Sequence, residues 1–226
     1  MMLCSNRSEG FGPKSILSSP LPTSCFTDTV LIPLPVWIAL LMLPVLLILS
    51  LRHRKQNYNP STAHLRAKKS HNCLFTTVSV VYYLLIVANM LMEVLEIVRL
   101  ELIQYGISLI PFTFVGLLLA GALHWTEGSG GRVRGWQAVN GVLWVGGIVM
   151  NVIKVVALVK EGINGRRDSK YPIVDQVTDV AVVAGVYAVL AILEVVLQLW
   201  RAFRINNRQQ SLKSAGNPVF DGGWMK

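Results

Sequence analysis

Charge is scarce in this chain: Asp, Glu, Lys and Arg make up only 15% of its 226 residues, whereas hydrophobic residues make up 53%. Soluble domains usually carry about 25% charged residues. Four stretches contain no charged residue at all, namely residues 29–51, 70–92, 102–126 and 135–153. The segments between them are too short to bury a core of their own, which excludes a separate water-soluble catalytic domain.

The long apolar stretches predict membrane-spanning helices. A helix of about 20 apolar residues, at a rise of about 1.5 Å per residue, crosses a hydrocarbon layer of about 30 Å. A fifth stretch, residues 174–200, is equally apolar apart from Asp175, Asp179 and Glu194. We therefore predict an all-α polytopic membrane protein in which residues 30–200 form a bundle of five transmembrane helices. The predicted spans are residues 30–51, 74–92, 102–125, 137–159 and 174–200.

The basic residues predict the orientation of the bundle. A net charge of +9 could suggest nucleic acid, but much of the charge falls in the connection between the first two spans. This basic loop contains Arg52, Arg54, Lys55, Arg66, Lys68 and Lys69. Because positively charged loops stay on the cytoplasmic side, residues 1–29 are expected outside or in a lumen and the basic tail, 201–226, in the cytosol. The basic loop could also bind anionic lipid headgroups, although topology alone accounts for it.

The N-terminal segment has no apolar stretch that would make a cleavable signal, so we expect it on the mature protein. Cys4 and Cys25 lie in this segment, on the side predicted to be oxidising, whereas Cys73 is expected to be a free thiol in the cytosol. Asn6 begins a glycosylation sequon with the correct sidedness, but its use so near the terminus is left open.

Ionisable residues inside spans are costly and usually face a partner or a cavity. Helix rise places Lys154 and Asp179 at similar depths near the outer end of the bundle, so we predict an ion pair between them. Asn151 and Asn89 are expected nearby as hydrogen-bonding groups, with Asp175 as the alternative partner of Lys154.

Glu194 lies in the opposite, cytosolic half of the predicted bundle. Its depth matches that of Thr77, Ser79 and Asn140, so either these groups solvate the carboxylate or Glu194 is protonated. The intramembrane polar groups could form a proton or ion relay, but fixing the helix register is the simpler interpretation, because the middle of the predicted bundle is apolar. His124, next to Trp125, is interpreted as an interfacial residue.

Small residues at a spacing of four mark helix contacts in membranes, because they let backbones approach closely. Such pairs occur in the third and fifth predicted spans, which we therefore expect to be packed in the interior. The pairs are Gly116 with Ala120, Ala181 with Gly185, and Ala184 with Ala188.

Several motifs that carry chemistry are missing. No Gly-x-x-x-x-Gly-Lys-Ser/Thr loop for a nucleotide phosphate occurs, and residues 128–132 are interpreted as a turn. His53, His64 and His71 lack partners at metal-ligand spacing, and no Ser/His/Asp constellation can be assembled. We expect no catalytic residue, metal or other cofactor in this chain, and its partners to be the lipid bilayer and membrane proteins rather than nucleic acid.

A set of short motifs resembles a known family. Cys4, the string Ser8-Glu9-Gly10-Phe11-Gly12-Pro13 and Cys25-Phe26-Thr27-Asp28 are similar to the start of fungal subfamily C ABC transporters. These are the multidrug resistance-associated type, which includes vacuolar glutathione-conjugate pumps. Further similar motifs follow in order along the chain. They are Ala122-Leu123-His124-Trp125, Asn151 with Lys154, Glu161-Gly162-Ile163, and Ile192-Leu193-Glu194.

The resemblance implies an extra N-terminal domain of five helices with its N-terminus outside, and a disulfide between Cys4 and Cys25. It also implies an accessory role in trafficking, stability or docking to a transporter that exports organic anions or sequesters them in a vacuole, with no ATPase activity of its own. The membrane would be the vacuolar or the plasma membrane. The alternatives are a small ion- or proton-coupled secondary transporter that uses Lys154, Asp179 and Glu194, or a truncated stand-alone relative without transport activity.

Overall fold

The computed structural model describes residues 24–56, 73–102, 107–131, 133, 135–161 and 173–215, and every structural statement below concerns these residues. They form five long helices and no strand. A short helical turn, Ser24–Phe26, and a π-helical segment, Thr27–Leu31, precede the first long helix. The five helices are α1 (Leu34–Gln56), α2 (Cys73–Leu102), α3 (Phe112–Gly131), α4 (Trp136–Glu161) and α5 (Ile173–Ala215).

Length and composition make most of these helices suitable for crossing a bilayer. Within the described ranges, four helical segments are long and apolar enough, and Phe112–Thr126 is a shorter apolar helix. Large apolar side chains also cover much of the outer surface of the bundle, as lipid contact requires. The predicted helical membrane bundle is therefore confirmed. The four longer segments are Thr27–His53, Cys73–Leu102, Trp136–Lys160 and Val174–Arg204.

Several helix boundaries differ from the predicted spans. The third helix ends at Gly131, so residues 128–131, predicted as part of a turn, are helical, and the fifth helix continues to Ala215 instead of ending at 200. The second helix does not stop before Glu93 but continues to Leu102, because its charged side chains find partners inside the bundle. The third helix begins at Phe112 rather than at 102. A turn in which Ser108 has φ of 52° leads into it, and Pro111, which has no N–H to leave unpaired, directly precedes its first residue.

The helix α4 is the centre of the bundle. It packs against α1, α3 and α5, whereas α2 packs against α3 and α5. Among its core residues, Trp144 is 1% exposed and Val139 is fully buried, and both belong to one cluster with residues of the other helices. Tyr82 contacts Glu194 and Arg99 contacts Asp179, so α2 and α5 run antiparallel. Asn140 donates a hydrogen bond to the carbonyl oxygen of Ala120 and Leu143 lies beside Gly116, so α3 and α4 run antiparallel as well. Lys154, which lies beside Glu96, and Glu194 are therefore at opposite ends of the bundle.

The helices approach each other closely at glycine residues, but only some of these are the small residues predicted to mark helix contacts. A Cβ atom added to Gly116 would lie 2.7 Å from Cγ2 of Val36, and Ala120 is fully buried, so this predicted pair does lie in the interior. Ala181 and Gly185 instead lie on the exposed side of α5. Their spacing of four repeats on every face of a helix, so spacing alone could not show which face is buried.

A close helix contact that the prediction missed is at Gly147 in α4. A Cβ atom there would lie 2.7 Å from two ring carbons of Tyr187 in α5. We expect Gly147→Ala to lower the free energy of unfolding by about 1–3 kcal/mol, because the buried Tyr187 ring cannot move away freely. Gly141→Ala is the matched control on the same helix, since nothing lies within 4 Å of its added Cβ. Thermal unfolding of the two variants in detergent tests this difference, and equal midpoints would contradict it.

Candidate functional site

An ionic cluster joins four parts of the chain at one end of the bundle. The amino group of Lys154 (α4) lies 3.0 Å from Oδ1 of Asp28, in the π-helical segment, and 3.3 Å from Oε1 of Glu96 in α2. Arg99, one turn further along α2, lies 3.9 Å from Oε2 of Glu96 and binds the carboxylate of Asp179 in α5. We call Asp28, Glu96, Arg99, Lys154 and Asp179 the Lys154 cluster.

The partners in the Lys154 cluster differ from the predicted pair. Lys154 was predicted to bind Asp179, but Asp179 binds Arg99, and the carboxylates beside Lys154 are those of Asp28 and Glu96. The prediction missed them because both were assigned to segments outside the spans. Asp28 lies beside Lys154 because the π-helical segment precedes α1, and Glu96 lies there because α2 continues to Leu102.

The other polar groups predicted around Lys154 have separate environments. The amide of Asn151 donates a hydrogen bond of 2.8 Å to the carbonyl oxygen of Gly147 in its own helix. Asn89 is fully buried in α2, and Asp175, the predicted alternative partner, is exposed. Asn151 lies about one turn before Lys154 and Asp175 about one turn before Asp179, but depth did not specify their contacts.

Glu93 forms a second polar contact at the same end. Its carboxylate accepts hydrogen bonds from the hydroxyl of Thr113 in α3, at 2.5 Å, and from the hydroxyl of Tyr187 in α5, at 3.4 Å. Glu93 is 7% exposed, so these donors replace the water that the carboxylate loses on burial. The contact ties α2 to α3 and α5.

The other end of the bundle contains a buried network around Glu194, which is 3% exposed. Its carboxylate accepts a hydrogen bond of 2.6 Å from the hydroxyl of Tyr82, and Nε2 of Gln198 donates one of 3.0 Å. Nδ1 of His124 lies 3.1 Å and Nδ2 of Asn140 3.4 Å from Oε2 of Glu194. We call Tyr82, His124, Asn140, Glu194 and Gln198 the Glu194 cluster.

The hydrogen-bond pattern of His124 defines its tautomer. Nη2 of Arg201 lies 3.1 Å from Nε2 of His124, and an arginine N–H can only donate. Nε2 of His124 therefore accepts, and the ring proton lies on Nδ1, from which it is donated to Glu194. Arg201 lies near the rings of Phe75 and Trp136, at 5.5 and 5.9 Å from their centroids. This chain of contacts connects the buried glutamate to the basic part of α5.

The prediction for Glu194 was partly right. Asn140 does lie beside the carboxylate, but the hydroxyls of Thr77 and Ser79 donate to carbonyl oxygens of their own helix. The interpretation of His124 as interfacial was wrong, because this residue is 2% exposed. Gly116, Ala120 and His124 are spaced four residues apart and therefore share one face of α3. The interior face predicted from the two small residues thus also contains His124.

A cavity of about 350 Å³ lies in the half of the bundle that contains the Lys154 cluster. Residues of all five helices line it, including Glu93, Glu96, Arg99, Lys154 and Asp179. Its wall reaches Trp144 and Tyr187 in the middle of the bundle.

A layer of aromatic rings separates the two clusters. The ring of Trp144 lies 6.2 Å from that of Tyr82, which binds Glu194, and 5.8 Å from that of Tyr187, which binds Glu93. The middle of the bundle is therefore filled by packed rings rather than by aliphatic residues alone. A secondary transporter would need a hydrated route from Lys154 to Glu194, and the lining of the cavity ends at this aromatic layer instead.

Several predicted site residues lie wholly or partly outside the described residues. Cys25 is fully buried and disulfide-bonded, but Cys4 is not among the described residues, so their pairing stays a prediction. Cys73 is an exposed free thiol. Asn6 and most of the basic loop are also outside, whereas Arg52 is exposed at the end of α1. The loop residues concerned are Arg66, Lys68 and Lys69, together with the side chains of Arg54 and Lys55.

The helices are long and apolar, and the buried charges between them are paired. These two features define an integral membrane protein of the helical bundle class. Comparison with protein families matches residues 1–172 to the ABC transporter TMD0 domain. The chain belongs to this family of N-terminal membrane domains of ABC transporters, which have no ATPase activity of their own. Neither the curated proteins nor the solved structures gave a match. The matched region ends directly before α5.

Proposed function

We propose that this chain is the accessory membrane domain of a subfamily C transporter of the multidrug resistance-associated type. The match to the TMD0 domain carries the proposal, and the motifs from Cys4 to Glu194 that resemble fungal subfamily C members support the finer assignment. The substrates of the complete transporter would be organic anions such as glutathione conjugates. The membrane would be the vacuolar or the plasma membrane.

In this proposal the domain serves the trafficking or stability of the transporter or docks to it, and it needs no cofactor. The two buried clusters support a static role, since each connects several helices through hydrogen bonds or ion pairs. Residues 1–29 would face the exterior or a lumen, and the end of α5 would reach the cytosol, as the basic loop predicts. There α5 would lead towards the pore and the nucleotide-binding domains.

Co-purification tests the accessory role. The tagged chain is expressed with a separate polypeptide that contains the pore and both nucleotide-binding domains of a subfamily C transporter. We expect capture of the chain to recover the pore polypeptide, and Gly147→Ala to recover less of it than Gly141→Ala, because docking needs an intact bundle. An unrelated tagged membrane protein of similar size serves as the control for non-specific capture.

Vesicles that contain only this chain provide the second measurement. We expect no ATP hydrolysis and no ATP-dependent uptake of a glutathione conjugate above the level of empty vesicles. ATP-dependent uptake by the chain alone would overturn the proposal, and so would a failure of the tagged chain to recover the pore polypeptide.

A further inference from the structure

The cavity beside the Lys154 cluster has an apolar body and a charged end. Its volume of about 350 Å³ is within the range of small-molecule sites. Val36, Leu117, Leu143 and Val180 belong to the apolar part of the wall. This apolar part of the cavity is a poor site for water, which needs two to four polar partners.

The cavity opens towards the surface of the bundle that faces lipid. Three of its lining residues on α2 have largely exposed side chains: Leu95 is 62% exposed, Val98 is 49% exposed and Leu102 is 65% exposed. In a bilayer this surface is covered by acyl chains. The space inside the cavity is thus continuous with the hydrocarbon around the bundle.

The charges on the wall indicate which headgroup fits the opening. Three carboxylates line the cavity, those of Glu93, Glu96 and Asp179, against the two cations Arg99 and Lys154. Arg99 and Asp179 are the partly exposed pair, with side chains 22% and 37% accessible. A headgroup with one positive and one negative group complements this pair, whereas a purely anionic headgroup would meet an excess of carboxylates.

We propose that the cavity binds one acyl chain of a zwitterionic membrane phospholipid. The chain lies between the helices with its end towards Trp144 and Tyr187. The ammonium group of the headgroup lies near Asp179 and the phosphate near Arg99. The lipid would then fill the gap between α2 and the rest of the bundle at this end, which no side chain of the described residues fills. This inference concerns a ligand of the bundle itself and does not depend on a pore partner.

Native mass spectrometry of the full chain tests the proposal. The probes are phosphatidylethanolamine and phosphatidylglycerol with identical acyl chains, added together to delipidated protein. We expect one phosphatidylethanolamine to be retained by the wild type and lost from Val183→Phe, whose ring would fill the cavity. Val182→Phe is the matched control, because Val182 is the neighbouring residue, is 47% exposed and does not line the cavity.

Three outcomes would overturn the proposal: no lipid retained by the wild type, equal retention by the two valine variants, or preference for phosphatidylglycerol. If Val183→Phe does not fold, quenching of tryptophan fluorescence by a phospholipid with brominated acyl chains decides. Trp144 is only 1% exposed but lines the cavity, so its emission, measured as the difference between wild type and Trp144→Phe, should be quenched. An unquenched Trp144 refutes acyl-chain binding, while co-purification with a pore polypeptide would be unaffected by that result.

Discussion

Lys154→Met is expected to lower the free energy of unfolding by about 3–5 kcal/mol, the usual cost of removing one partner from a buried ion pair. Lys154 is 7% exposed and lies between the carboxylates of Asp28 and Glu96. Without its amino group these carboxylates lose a common cation in a site that water does not reach freely. The loss should also loosen the contact of the π-helical segment with α2 and α4.

Unfolding in detergent with increasing denaturant measures this effect. Lys160→Met is the matched control on the same helix, because Lys160 is exposed and its loss should have little effect on stability. Adding Asp28→Asn to Lys154→Met should restore part of the stability, since it removes one of the two carboxylate charges beside the lost amino group. Equal stability of Lys154→Met and Lys160→Met would contradict the structural role of the cluster.

The class of fold could be predicted because hydrophobic length is a property of each segment alone. Charge-free stretches long enough to cross a bilayer specified the helices, and their order along the chain specified that neighbours run antiparallel. The predicted end of α2 was wrong for the same reason, because the contacts of a charged residue are not a property of its segment alone. Glu93, Glu96 and Arg99 end an apolar stretch in the sequence, but they do not end a helix, because they have partners in three other helices.

The contacts of the polar groups could be predicted only in part. Helix rise gave the depth of Glu194 and Asn140, and the two do meet. It did not give the rotation of each helix about its own axis, which decides whether Thr77 faces the core or its own backbone. For His124 a rotational signal did exist, because the small residues Gly116 and Ala120 share its face.

The other expected large effect concerns the opposite end of the bundle. Glu194→Ala removes the acceptor shared by the hydroxyl of Tyr82, the ring N–H of His124 and the amide of Gln198. A buried donor left without an acceptor costs about 1–3 kcal/mol, and the donors of Tyr82 and His124 are both buried, so we expect a total loss of about 2–6 kcal/mol in the free energy of unfolding. Val195→Ala is the matched control, because the neighbouring Val195 is 54% exposed and makes no such contacts.

The same variant series separates a structural from a transport role for Glu194. Glu194→Gln keeps one acceptor oxygen but places an NH2 group among donors, so its stability should lie between those of wild type and Glu194→Ala. If Glu194 served a proton relay, Glu194→Gln would abolish a pH-dependent flux in vesicles and leave stability unchanged. We expect the reverse, a graded loss of stability and no flux to abolish, since the aromatic layer of Tyr82, Trp144 and Tyr187 separates Glu194 from the cavity. The two clusters then hold the helices in register from both ends.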